Sequence, residues 1–288
     1  MTDAHDAPVI DTVLVAGAGT MGGGIAQVLA EAGITTVLVD ADSGALERGL
    51  AAISARWDRA VQSGRCSQDD VTSARGKLRS GSLSDASQCD LVIEAIVEKL
   101  DAKVVLFREL AQIASSDAVF ASNTSSLAIT TLGQASGRPD RFVGMHFFNP
   151  VPVLPLVEIV KGLATSDETV ATVVTLAERI GKTPVVVNDA PGFVANRILL
   201  PMINEAIFTL DEGVASADAI DSVMKLGMSH PMGPLALADL IGLDICLDIM
   251  ETLHRDFGDD KYRAAPLLRR MVAAGRLGRK SGQGFYAY

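Results

Sequence analysis

At 288 residues the chain is long for a single core and well sized for two domains. Hydrophobic residues at 48% against 21% charged exclude a disordered chain, and a formal charge of -10 argues against a nucleic-acid surface. Cys66, Cys89 and Cys246 are odd in number and lack CxxC spacing, so neither a disulfide framework nor a zinc site is expected, and reduced thiols fit the cytoplasm.

The opening MTDAHDAPVIDT is polar and acidic, unlike a signal or transit peptide, and no apolar run approaches the roughly 20 residues that cross a bilayer. A cytoplasmic protein with no membrane or nucleic-acid partner is expected. TVLVA (12–16) reads as a strand, MGGGIAQVLAEAG as a helix closed by Gly33, and TTVLVD (35–40) as a second strand, which together make one βαβ unit. From Ser43 to about Ser63, Leu46, Leu50, Ile53 and Trp57 recur every three or four residues and predict an amphipathic helix. DLVIEAIV (90–97), AVFAS (118–122), RFVGMHF (141–147), LVEIV (156–160) and TPVVV (183–187) are further strand candidates between helical stretches. The alternation predicts an α/β fold, a doubly wound Rossmann-type domain with a mostly parallel sheet over residues 1–189.

From about Asp189 the pattern turns helical. GFVANRILLPMINEAIFTLDEG, ASADAIDSVMKLG, LALADLIGLDICLDIMETLH and PLLRRMVAAG each read as helix, giving an all-helical domain over residues 190–288, with Pro201 expected to disturb the first of them. NDAPG (188–192) is the one short linker candidate.

Gly17-x-Gly19-x-x-Gly22 follows a strand and opens a helix, and Asp40 ends the next strand. Gly17 permits a tight turn, Gly19 lets backbone approach a pyrophosphate, and Gly22 allows close helix packing; Thr20 and Met21 complete the loop at the helix start. Asp40 is placed to accept from a ribose 2′-hydroxyl and to repel a 2′-phosphate, which favours NAD over NADP. The plainer reading is a glycine-rich turn without a ligand.

The run HFFNPVPVLPLVEIV (146–160) carries one imidazole and one carboxylate among apolar and proline residues. If the prolines turn the chain back, His146 and Glu158 meet across neighbouring strands, and a carboxylate-backed imidazole suits proton removal from an alcohol. The structural alternative is a histidine satisfied by a carbonyl, with Glu158 on a solvated face. Ser125 in SNTSS and Asn196 after PGF are candidate donors to a developing negative oxygen, although each residue type also caps turns and helices. His5, His230 and His254 show no ligand spacing, so no metal is expected.

GAGTMG (17–22), VIEAIVE (92–98), ASNTSSL (121–127), HFFNPVPVLPLVE (146–158), PGFVANR (191–197), HPMGP (230–234), GLD (242–244) and GRKSGQGFY (278–286) closely resemble, in this order, the L-3-hydroxyacyl-CoA dehydrogenases, nearest to their bacterial 3-hydroxybutyryl-CoA members. The resemblance covers nearly the whole chain. It implies NAD as cofactor, an acyl-CoA substrate, His146 as catalytic base, Glu158 as its orienting carboxylate, and Ser125 and Asn196 at the substrate's 3-oxygen and thioester region. It assigns Glu98, Lys103, Asn123, Asn149 and Lys280 to the nicotinamide end of the cofactor or its surroundings. Read locally, Glu98 and Lys103 are charges opening a helix and Lys280 belongs to a solvated basic tail.

The helix after Asp40 departs from better-known members: Arg56 and Ser63 stand where those carry coenzyme A contacts, so these contacts stay unassigned. Arg56 and Arg59 are phosphate-partner candidates with a solvated-face alternative. A free-standing, short-chain enzyme of fatty-acid β-oxidation chemistry is expected, assembled as a homodimer through the C-terminal helices. The alternatives are a related hydroxy-acid dehydrogenase that does not use CoA and a catalytically silent, crystallin-like NAD-binding protein.

Overall fold

The computed structural model describes residues 9–288 and divides the chain into two compact units, Met1–Asp189 and Ala190–Tyr288. His5 lies outside the described residues.

In the first unit, β1 (Thr12–Ala16), α1 (Thr20–Glu31) and β2 (Thr35–Val39) form the expected βαβ unit, followed by α2 (Ser43–Gln62). Gly33 closes α1 with φ +79, a backbone state that side chains disfavour. The Asp42 side chain caps α2 by accepting from the Gly44 N–H, and Ile53 and Trp57 on its inner face are buried, with Leu46 and Leu50 packed beside them. Next come α3 (Gln68–Lys77) and β3 (Leu78–Ser80), elements that the periodicity does not announce. The reason is composition: α3 is polar except for two buried residues, Val71 and Ala74, and β3 is three residues long. A capping box between Ser67 and Asp70 starts α3.

The unit continues with β4 (Leu91–Glu94), α4 (Leu100–Ile113), β5 (Val119–Ser122), α5 (Ile129–Ser136), β6 (Phe142–Phe147), β7 (Leu156–Lys161), α6 (Asp167–Arg179) and β8 (Thr183–Asn188). The fourth strand is shorter than expected because the Glu94 side chain takes the Ile96 N–H at 2.7 Å and the chain turns away. All eight strands form one sheet in the order β3-β2-β1-β4-β5-β6-β7-β8. β1 to β6 run parallel, β7 runs antiparallel to β6, and β8 runs parallel to β7. The chain order reverses between β1 and β4, the topological switch where ligands bind beyond the carboxyl ends of such strands. The Asp189 carboxylate takes the Thr130 N–H and hydroxyl at 2.8 and 2.7 Å, tying the end of the unit to the first turn of α5.

The second unit holds α7 (Ala195–Asp211), α8 (Ala217–Gly227), α9 (Pro234–Ile241), α10 (Leu243–Phe257) and α11 (Pro266–Ala273) around its own apolar cluster, which includes Leu200, Ile207, Leu235, Cys246 and Leu253. α7 continues through Pro201 as one helix. The stretch expected as one helix from Leu235 to His254 is two, because Gly242 takes φ +107 and breaks it. Beyond its helices, Gly278, Gln283 and Ala287 pair in isolated β-bridges. Buried Asp221 and Asp239 hold this terminal segment: Asp239 accepts the Phe285 and Tyr286 N–H groups at 3.0 Å each, and Asp221 accepts the Tyr286 hydroxyl at 2.9 Å.

Candidate active site

The glycine loop leaves β1 at the switch point. Gly17 has φ +108 and lies so close to the residue after β4 that a Cβ would come within 2.4 Å of the Ala95 carbonyl oxygen. A Cβ on Gly22 would sit 1.8 Å from the Gly17 carbonyl oxygen, so the loop and the first turn of α1 are in backbone contact. Gly19 differs from both. A Cβ there meets nothing within 4 Å, and no side chain caps the helix it starts. Open space thus faces the unpaired N–H groups and positive end of a helix, the environment a pyrophosphate needs. Thr20 is exposed beside it, while Met21 turns its side chain onto the core.

Asp40 reaches back to this loop. Its Oδ2 accepts the Ala18 N–H at 2.8 Å and its Oδ1 accepts the Asp42 N–H at 3.0 Å. A carboxylate has about four acceptor positions, so acceptor capacity remains for ribose hydroxyls. The residues present therefore fit NAD: a backbone cradle for its phosphates and an acid that disfavours a 2′-phosphate.

At the carboxyl ends of β4 and β5 lies a network that the sequence does not reveal. Lys103 is 1% exposed and Glu94 is fully buried; Lys103 Nζ donates to both Glu94 oxygens at 2.7 and 2.9 Å and lies 3.0 Å from Glu98 Oε2. Lys103 is thus no ordinary surface charge. Glu94 also accepts the Ser122 hydroxyl at 2.6 Å. Burial raises the Glu94 carboxyl above its ordinary value, against the opposing pull of Lys103 and these hydrogen bonds.

Glu98 behaves oppositely. Burial would raise it too, but the Lys103 ammonium and the hydrogen bonds from Thr124 and Ser125 prevail and hold it below the usual range. Its Oε1 gathers the Thr124 hydroxyl at 2.6 Å, the Ser125 N–H at 2.8 Å and the Ser126 N–H at 3.1 Å, with the Ser125 hydroxyl at 3.3 Å. Glu98 therefore shapes the turn that carries Ser125. The only sequence signal for Glu94 was a carboxylate inside an apolar strand, the same oddity that marked Glu158.

His146 and Glu158 are directly opposed in the antiparallel β6–β7 pair. His146 Nδ1 lies 2.7 Å from Glu158 Oε2, with the residues 7% and 2% exposed. An ionised carboxylate can only accept, so Nδ1 carries the hydrogen and, in the neutral ring, Nε2 carries the lone pair. The Phe148 ring stands 4.6 Å from the imidazole, centre to centre. Asn123 Oδ1 accepts the Phe147 N–H at 2.9 Å and so fastens the end of β6 to the end of β5. Asn149 is exposed just beyond.

Two further residues singled out by the sequence, Asn196 and Lys280, belong to the second unit. Asn196 is buried in the first turn of α7. Lys280 is exposed, as a solvated tail would have it, and it donates to both carboxylate oxygens of Asp244 at 2.5 Å. In the first unit, Arg56 points into the fold, donating to Gln27 Oε1 at 2.5 Å, whereas Arg59 stays exposed on α2. Ser63 is engaged locally with the Ala60 carbonyl at 3.1 Å and Arg65 at 3.0 Å. Among the described residues no group of three His, Cys, Asp or Glu side chains is arranged to hold a metal ion, and no helix is long and apolar enough to cross a membrane.

A doubly wound sheet with a glycine cradle and an acid at the end of its second strand defines an NAD-binding protein of the Rossmann class, and the buried imidazole–carboxylate pair fits an oxidoreductase. Residues 12–190 match the 3-hydroxyacyl-CoA dehydrogenase NAD binding domain and residues 192–288 match the C-terminal domain of that enzyme. A probable 3-hydroxybutyryl-CoA dehydrogenase of Deinococcus radiodurans is 55% identical over 95% of this chain and 99% of its own, and one of Bacillus subtilis is 54% identical over 97% and 98%. The crystal structure of (S)-3-hydroxybutyryl-CoA dehydrogenase from Ralstonia eutropha is 50% identical, superposes with a TM-score of 0.94, and covers 97% of this chain and 99% of its own. The chain belongs to the 3-hydroxyacyl-CoA dehydrogenase family of NAD-dependent oxidoreductases.

Proposed function

We propose that the enzyme catalyses the reversible oxidation of (S)-3-hydroxyacyl-CoA to 3-oxoacyl-CoA, with His146 as general base and the short-chain 3-hydroxybutyryl thioester as its preferred substrate. The observation that carries this reading is the 2.7 Å contact between His146 and Glu158, buried and in register on adjacent strands. NAD, when bound, supplies the hydride acceptor. Nε2 of His146 takes the proton of the 3-hydroxyl, and Glu158 holds the reactive tautomer and steadies the imidazolium that results. In the reverse direction the imidazolium returns that proton to the 3-oxo oxygen.

Ser125, seated by Glu98, donates toward the 3-oxygen as negative charge develops; one such donor contributes about 10² to 10³ in rate. Asn196 is assigned to the substrate on the likeness of its PGFVANR motif, and Glu98, Asn123, Asn149 and Lys280 to the nicotinamide end on the same ground. Lys103, with 1% exposure, serves that end through Glu98. The preference for a four-carbon acyl group rests on the relatives named for that substrate.

The second unit leaves Val223, Leu226 and Met228 at 61%, 86% and 61% exposure, an apolar set that supports pairing of two copies through this unit. The thiol usage supports a cytoplasmic setting and the chemistry a place in fatty-acid β-oxidation or its reversal. A series of 3-oxoacyl-CoA substrates with NADH and NADPH tests the assignment. Turnover greatest with acetoacetyl-CoA and NADH is expected; no turnover with any CoA thioester would overturn it.

A further inference from the structure

Lys182 is an odd residue to find in this fold. It directly follows Gly181, whose φ of +72 ends α6, and it leads into β8 with only 9% of its surface exposed. Its ammonium donates to the Val151 carbonyl at 2.5 Å and to the Leu154 carbonyl at 2.9 Å. The next residue, Thr183, donates its N–H to the Pro155 carbonyl at 2.7 Å. Three carbonyls of one loop are therefore held from the α6–β8 junction.

That loop joins β6 to β7, the strands that present His146 and Glu158. Pro150, Pro152 and Pro155 remove three N–H donors from it, and the Val153 and Leu154 N–H groups both go to the Pro150 carbonyl at 3.0 Å. The loop cannot satisfy its remaining carbonyls from within, so a buried cation does so. Its far side rests on the cofactor helix: Val151 is 2% exposed, and a Cβ on Gly24 of α1 would lie 2.9 Å from the Val151 Cβ. Gly24 lies five residues beyond Gly19 in the same helix.

We propose that Lys182 is a positioning residue for the hydride-transfer step: by clamping the 149–155 loop against Gly24 of α1, it sets where the His146–Glu158 hairpin stands relative to the helix that cradles the cofactor phosphates. The clamp and the glycine are the two jaws of one device, one pulling the loop in and the other leaving room for it. The proposal rests on the reading of His146 as the base. Displacing reacting groups by about an ångström can cost 10²-fold in rate, which gives the scale expected when either jaw is altered.

The test uses Lys182→Met, Gly24→Ala and His146→Gln in the full chain, assayed with acetoacetyl-CoA and NADH or NADH deuterated at the transferred position. Lys182→Met should lower kcat by about 10- to 100-fold and raise the primary isotope effect, with NADH affinity from fluorescence titration unchanged. In a His146→Gln background the further loss should shrink, because the displaced group is already gone. Unchanged kcat, or the same loss in both backgrounds, would overturn the proposal. If Lys182→Met does not fold, Gly24→Ala carries the test, since its Cβ must push Val151 and the loop outward; full turnover by that variant contradicts the coupling. Normal turnover by His146→Gln alone would show instead that the base assignment fails.

Discussion

His146 and Glu158 stand 12 positions apart in sequence and directly opposite one another in the β6–β7 ladder, with Nδ1 and Oε2 separated by 2.7 Å. Because the proline loop reverses the chain, a carboxylate that would be remote on a straight strand becomes the imidazole's partner. Glu158→Gln keeps the shape but removes the charge and can present an N–H instead of an acceptor. Steady-state kinetics of this variant should show kcat reduced by a large part of the roughly 10² to 10⁴ that a general base contributes. Activity equal to the parent would mean that the carboxylate does not orient the base.

Direction of turnover should follow protonation. Oxidation needs neutral imidazole and reduction needs imidazolium, so lowering the pH should favour 3-oxoacyl reduction over 3-hydroxyacyl oxidation in initial rates. Because the net oxidation itself releases a proton, that ratio falls with acid in any mechanism, so the check is the pH profile of oxidation alone; a profile left unchanged by His146→Gln would contradict proton transfer through His146.

Gly19 faces open space, so Gly19→Ala should fold and yet intrude where the pyrophosphate approaches. NADH affinity is expected to fall by at least about tenfold, or about 1.4 kcal/mol, with unchanged circular dichroism. Asp40→Ala should in addition loosen the preference for NAD over NADP, because both the ribose acceptor and the bond to the Ala18 N–H are lost. Competitive titration with the two cofactors checks this, and unchanged selectivity would remove Asp40 from the ribose.

The buried ion pair under the Ser125 turn makes a stability prediction. Lys103→Met leaves Glu94 buried without its cation, a change that costs about 3–5 kcal/mol in comparable sites. The double variant Glu94→Gln/Lys103→Met should recover part of that loss in urea unfolding. Additive losses would show that the two residues do not act as a pair.

Glu98 supplies an acid-side signature. Its carboxyl is held below the ordinary glutamate value, so in the acid range the folded state binds fewer protons than the unfolded state. The corresponding stability is complete above the unfolded glutamate value of about 4.3 and disappears as the pH falls through the lower folded value. Urea midpoints of Glu98→Gln should therefore decline less steeply with acid over that window than those of the parent protein. Identical declines would mean that Glu98 gains nothing from Lys103 and the Thr124 and Ser125 donors.

How much of this was legible beforehand follows from physical range. The glycine loop, its helix and Asp40 are short-range features whose spacing carries their geometry, and the β6–β7 pair could be foreseen because three prolines mark the reversal. Glu94 meets Ser122, and Glu98 meets Thr124, only through parallel pairing of β4 with β5, which no local pattern encodes. Lys103 has the helical context of a surface charge, and only the sheet beneath it makes it a buried one. The apolar period runs on through Gly242 and so hides the break there, while α3 and β3 bury too little to leave a period.

The most direct test of the central claim is the rate of NADH oxidation with acetoacetyl-CoA by His146→Gln, measured beside NADH binding. Turnover lowered by roughly 10² to 10⁴ with cofactor affinity intact is expected. Turnover equal to that of the unaltered enzyme would contradict it.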